Sequence, residues 1–177
     1  MLLQPNKHWH WFFDTEQQRM TLLLGEEMQF ISELASRKMS HAAWDAQEFT
    51  CSQTQNYYHL LDSLEKIDWP DPIKVQIALN ALTFAEFHSP IMPQSWFFER
   101  FSESNPCHFA ELILLKTKDK NVQFIVLEAT PETTLCMCLE NKIKLTSAKI
   151  MNRFDIIKVM NDRILKPTNS DFYAEVI

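Results

Sequence analysis

A chain of 177 residues with a net charge of −6 and 46% hydrophobic residues has enough apolar mass for one domain, or for two small lobes sharing a core. Its single glycine, Gly25, excludes a glycine-rich phosphate cradle, and its acidic balance lacks the basic footprint of a nucleic-acid binder. It has no run of about 18 apolar residues and no basic-then-apolar leader, so a cytoplasmic protein that engages neither membrane nor nucleic acid is expected.

With one glycine, turns must draw on Asn, Asp, Pro and Lys. Residues 8–13 (HWHWFF) alternate with period two, which predicts a strand with Trp9, Trp11 and Phe13 inward. Residues 19–24 (RMTLLL) return as its hairpin partner. Neither face of that second strand is cleanly polar, so it is either covered on both sides or exposes a binding face. Residues 28–31 read as a third strand, Ser36-Arg37-Lys38 as a basic island in a loop, and Ser40 as the N-cap of a short helix.

Residues 56–66 carry Tyr57, Leu60, Leu61 and Leu64 at helical spacing. Asp71 and Pro72 then start a helix that runs to about Phe87 and is apolar on most sides, as a central helix must be. Asn80 within it is expected to be buried and hydrogen-bonded to a neighbouring backbone. His88 sits at its end, where an imidazolium would meet the helix dipole favourably. Pro90 and Pro93 pin a rigid apolar crossing between two halves.

Beyond the crossing the pattern changes. Residues 95–98 read as a strand, and residues 109–146 as a four-strand meander with polar turns at 117–121 and 140–142. A curled sheet closes such a meander by removing exposed edges. Residues 154–165 have Ile156, Ile157, Met160 and Ile164 at helical spacing and predict a helix; residues 171–177 read as a last strand. The fold class is therefore α+β: an N-terminal α/β lobe with a central helix (1–93), then a C-terminal antiparallel curled sheet or partial β-barrel (94–177).

Catalytic equipment is not evident. The nucleophile elbow needs two glycines, and Glu26-Glu27 lie adjacent in a turn. Cys51, Cys107, Cys136 and Cys138 lack zinc-site spacing and read as free thiols. No catalytic, cofactor or metal residue is assigned. Two alternatives stand beside this reading. One is a ligand-binding or enzymatic protein with a pocket at the seam. The other, a nucleic-acid adaptor, needs Phe124 to face outward.

Several stretches together resemble the ZapC family of Z-ring-associated cell division proteins. They are Trp9-x-Trp11 with two aromatics and Asp14, Arg19-Met20-x-Leu22, Arg37-Lys38-Met39, Leu79-Asn80-Ala81-Leu82, Pro90-x-Met92-Pro93-x-Ser95-Trp96, and Ile157-Lys158-x-Met160-Asn161-Asp162-Arg163. The resemblance implies a non-enzymatic protein, cytoplasmic and at midcell with the Z-ring. It would bind polymerised FtsZ, promote lateral association of protofilaments and dampen GTP hydrolysis. It also implies an N-terminal α/β region followed by a β-barrel-like region. Family members can carry lysines around the Pro-x-Met-Pro turn; Ser89 and Gln94 stand there in this chain, which implies a more apolar contact.

A bundler must touch two filaments, through two surfaces or through self-association. A monomer is favoured, with room for weak self-association. Two patches are expected: Arg19 and Leu22 on the hairpin with Arg37 and Lys38 near them, and His88, Met92 and Trp96 at the crossing. On this reading Leu22→Glu abolishes co-sedimentation with FtsZ polymers and leaves the fold native.

Overall fold

The computed structural model describes residues 2–168, and the expected strand at 171–177 lies outside them. The chain forms an α+β structure with two compact units. One takes the chain up to Asp62 together with Pro70–Pro90; the other takes Ser63–Trp69 together with the chain from Ile91 onward.

The first unit is a four-stranded antiparallel sheet of order β3-β2-β1-β4 with two helices. β1 (His10–Asp14) and β2 (Arg19–Leu23) form the expected hairpin, Trp11 opposite Leu22. β3 (Gln29–Ala35) is longer than residues 28–31 suggested, and β4 (Gln47–Glu48) lies on the far edge. α1 (Cys51–Leu64) and α2 (Asp71–Phe87) cover one face through Trp9 against Tyr57 and Trp11 against Phe87, edge-to-face at 5.8 and 5.1 Å. Trp9 and Trp11 are buried as expected, whereas Phe13 is half-buried beside the exposed Trp44.

α1 starts with a reciprocal capping box. The Gln53 N–H donates to Thr50 Oγ1, and the Thr50 N–H donates to Gln53 Oε1, both at 3.1 Å. Gln53 Oε1 also accepts the Trp11 indole N–H at 2.9 Å, so one side chain caps the helix and fixes the sheet against it. Pro70, rather than Asp71, is the N-cap of α2. The Ser40 side chain makes no cap bond to the 3₁₀ turn His41–Trp44.

The second unit centres on a five-stranded antiparallel sheet, order β10-β7-β6-β5-β11. Its strands are β5 (Leu112–Lys116), β6 (Asn121–Ala129), β7 (Thr133–Cys138), β10 (Ile156–Met160) and β11 (Ile164–Leu165). β10 and β11 lie on opposite edges, yet only the 3₁₀ turn Asn161–Arg163 joins them. A flat five-strand sheet is about 19 Å across. A 3₁₀ link rises only about 2 Å per residue. The sheet must therefore curl until its edges approach, which makes a half-barrel.

Inside the curl sit Ile113, Leu115, Val122, Phe124, Val126, Cys136, Cys138, Ile157 and Val159, period two along each strand. Asn161 locks the link. Its Oδ1 accepts from Thr134 Oγ1 (2.7 Å), and its Nδ2 donates to the Thr130 carbonyl (3.1 Å).

Three sequence expectations fail in this unit. Residues 154–165 are β10, a turn and β11 rather than a helix. Ile157 and Val159 point inward with period two, and the helical spacing arose from adding Ile164 across the turn. Residues 95–97 form a 3₁₀ turn, not a strand. The meander has three strands, because β8 (Ile143–Lys144) leaves the sheet to pair with β9 (Ile150–Met151), and β10 takes the place beside β7.

Among the described residues, four non-glycine residues have left-handed backbones: Gln18, Ala110, Lys142 and Phe154. Of these only Lys142 is among the residue types the glycine shortage led us to expect.

Candidate partner-binding surface

The chain changes units between Pro90 and Ile91, and the segment that follows is held at two points against the outer edge of β10. The Gln94 N–H donates to the Lys158 carbonyl, and the Met160 N–H donates to Ser95 Oγ, both at 2.8 Å. These bonds occupy an edge that would otherwise be unpaired. Ser95 is buried and Phe98 enters the core against Phe124, ring centroids 6.0 Å apart. Residues on either side of the two anchors are exposed. Met92 is 80% exposed and Trp96 69% exposed.

The β8–β9 hairpin adds to the same surface. Lys149 Nζ donates to Gln94 Oε1 at 2.9 Å and stands 4.6 Å from the centre of the Phe97 ring. Ile150 beside it is 60% exposed, while Met151 turns into the core. Met160, at the end of β10, is also exposed. Isolated exposed apolar side chains need no explanation, but Met92, Trp96, Ile150 and Met160 share one region with a cation, as interaction sites do. The sequence supplied Met92 and Trp96. It also placed Gln94 at the turn, but it missed Lys149, Ile150 and Met160, because Lys149 meets Gln94 across 55 positions and no local pattern marks that pairing.

His88, expected beside Met92 and Trp96, belongs to the first unit. It forms the C-cap of α2, its N–H donating to the Phe84 carbonyl, and it pairs with Met39 in an isolated β-bridge. Burial pushes its pKa below the usual histidine value, and the charge of Lys38 pushes it the same way. The cation near this helix end is therefore Lys38, not an imidazolium. The Lys38 carbonyl accepts both the Ser89 N–H (2.9 Å) and Ser89 Oγ (3.1 Å), and Ser40 N–H takes the Phe87 carbonyl. Arg37 is exposed and Lys38 half-buried on the 3₁₀ turn Ser36–Lys38. The basic island thus lies against His88 and Ser89.

In the hairpin half of the first expected patch, Leu22 does not reach the surface and Arg19 reaches it only in part. Leu22 is fully buried in the row of Trp11 and Phe30 and presents nothing to a partner. Arg19 is half-buried and engaged within the sheet: its Nη1 donates to the Glu33 carbonyl at 2.8 Å and pairs with the Glu33 carboxylate at 3.1 Å. Phe124, the aromatic offered as a stacking platform, is fully buried.

Other chemistry is sparse. A cleft of about 460 Å³ in the first unit has Lys7, His8 and His10 facing Glu26 and Glu48. Among the described residues no group of three or more His, Cys, Asp or Glu is placed to hold a metal. Cys107, Cys136 and Cys138 are buried and Cys51 is exposed; burial drives the Cys138 thiol up to about 12, far from a reactive thiolate. Among the described residues no helix is long and apolar enough to cross a membrane.

Two family models cover almost the whole chain: Cell-division protein ZapC, N-terminal, over residues 2–89, and Cell-division protein ZapC, C-terminal, over residues 90–170. The chain belongs to the ZapC family of cell division proteins. Cell division protein ZapC of Aeromonas hydrophila is 35% identical over 180 residues, 99% of each chain. That of Ferrimonas balearica is 34% identical over all of this chain and 99% of its own. That of Proteus mirabilis is 33% identical over 93% of this chain and 90% of its own. The resemblance read from scattered motifs therefore extends over nearly the full length, and with it a role in cell division. The boundary between the two ZapC models falls between Ser89 and Pro90, one residue before the chain changes units.

Proposed function

We propose that this protein binds polymerised FtsZ directly, promotes lateral association of protofilaments in the Z-ring at midcell, and dampens FtsZ GTP hydrolysis without catalysing a reaction of its own. The observation that carries this reading is the exposed apolar surface of Met92 and Trp96, presented by a pinned segment in a chain of the ZapC family. Trp is enriched among the residues that anchor protein interfaces and loses little rotamer entropy on docking. A second contact, at Arg37 and Lys38 on the first unit, gives the valency that bundling requires of a monomer. The protein works in the cytoplasm and needs no cofactor, membrane or nucleic acid.

Light scattering of polymerising FtsZ tests this. Wild-type protein is expected to raise the signal. Trp96→Glu, at an exposed position that leaves the core intact, is expected to lose most of that rise. An unchanged response to Trp96→Glu would remove this surface from the mechanism.

A further inference from the structure

The family resemblance implied a more apolar contact around the Pro-x-Met-Pro turn, because Ser89 and Gln94 stand where family members can carry lysines. The structure brings a charge to it from elsewhere. Lys149 is half-buried, and its ammonium is oriented by two neutral groups, the Gln94 amide oxygen at 2.9 Å and the face of Phe97 at 4.6 Å. Lys116 and Lys166 in the same unit instead sit against carboxylates, Glu99 and Glu111. Among the described residues no carboxylate pairs with Lys149. An ammonium has three donors, and a neutral acceptor aims it without cancelling its charge. A cation fixed in this way, partly withdrawn from water and left un-neutralised, interacts more strongly with an arriving anion than a freely moving surface lysine does.

We propose that Lys149 is the charged anchor of the surface around Met92 and Trp96, seating a carboxylate of an acidic protein partner whose neighbouring apolar side chain lies on Trp96 and Ile150. Gln94 and Phe97 are positioning residues that hold the ammonium in place. The chain's own net charge of −6 repels an acidic partner at long range, so the attraction must come from such a local, desolvated contact. An anionic membrane would meet the same bulk repulsion without a shaped carboxylate contact in return. The proposal rests on the reading that this surface binds FtsZ, and it names the chemistry of that contact.

The test compares full-length wild type, Lys149→Met, Lys149→Arg and Gln94→Glu in co-sedimentation with polymerised FtsZ, with vesicles of phosphatidylglycerol as a parallel arm. Lys149→Met keeps the alkyl packing on Phe97 and is expected to weaken binding about tenfold and to flatten its salt dependence. Lys149→Arg is expected to stay near wild type. Gln94→Glu gives Lys149 an internal counter-ion without touching the lysine; it is expected to weaken binding while thermal stability holds or rises, which a merely structural role would not produce. Wild-type binding to FtsZ with unchanged affinity in Lys149→Met and Gln94→Glu would overturn the anchor and leave the surface standing. Wild type that ignores FtsZ overturns both, and Lys149-dependent sedimentation with vesicles instead would replace the protein partner with a lipid one.

Discussion

Asn80, fully buried in the middle of α2, accepts the backbone N–H of Glu33 on β3 at 2.8 Å. Its Nδ2 donates back to the Gln76 carbonyl at 3.1 Å, so both ends of the amide are satisfied. The bond ties the central helix to the edge strand of the first sheet, at the point where the β2–β3 register shifts and a strand N–H would be left unpaired. Asn80→Ala removes the acceptor and leaves that partly buried N–H without its partner, at a cost of about 1–3 kcal/mol. Thermal melts are expected to show a drop of several degrees, on the scale of about 2–4 °C per kcal/mol for a chain of this size. An unchanged melting temperature would remove Asn80 from the list of tertiary ties.

Leu22 separates a surface role from a core role. Leu22→Ala is expected to cost about 2–5 kcal/mol, as large-to-small changes in packed cores do. Leu22→Glu places a carboxylate beside Trp11 with no partner, and circular dichroism is expected to report loss of native structure rather than a folded protein that fails to bind. A native spectrum for Leu22→Glu would contradict the packing described here.

His88 gives the stability a pH dependence of definite sign. Its pKa is depressed in the folded protein, so below the ordinary value near 6.5 the unfolded chain takes up more protons than the folded one. The stability it contributes is present above that value and is lost as pH falls toward the lower folded pKa. Denaturation midpoints are expected to decline over this window, and His88→Gln is expected to flatten the decline. Identical profiles for the two proteins would contradict the assignment.

Lys142 is exposed in the turn after β7 with φ near 58°, a conformation in which a Cβ is unfavourable. Lys142→Gly is expected to stabilise the protein by up to about 1 kcal/mol, and Lys142→Val to destabilise it, because β-branching tolerates positive φ worst. Denaturant titration distinguishes the two, and equal effects would argue against a left-handed turn.

Some of this architecture could be read from the residues alone. The N-terminal hairpin announced itself through strict alternation of aromatics, and α2 through its proline start and wide apolar coverage. The start of α1 was also written in the chain, as Thr50-x-x-Gln53, but the helical spacing that drew attention began five residues later, at Asn56. Residues 154–165 could not be resolved the same way. A short apolar stretch fits helix or strand, and only pairing with β7, far away in the chain, decides between them. Residues 95–97 are rich in aromatics and look like a strand, but a serine hydroxyl bonded to the Met160 N–H holds them in a turn. The exposed surface was half legible for the same reason: Met92 and Trp96 lie in a local motif, whereas Lys149 arrives there only through tertiary folding.

Leu22 and His88 teach a related lesson about chemistry. Both stood out because of their neighbours in sequence, yet a β-strand of mixed faces and a helix end can each be closed off by other parts of the chain. Here Leu22 is fully buried in the row of Trp11 and Phe30, and the isolated bridge to Met39 holds the half-buried His88 against the first unit.

The most direct test is sedimentation of the purified full-length protein with and without GTP-polymerised FtsZ, following phosphate release in the same samples. The protein is expected to pellet only when polymer is present, with hydrolysis slowed as its ratio to FtsZ rises. Protein that stays in the supernatant at every ratio, with hydrolysis unaltered, would contradict the account.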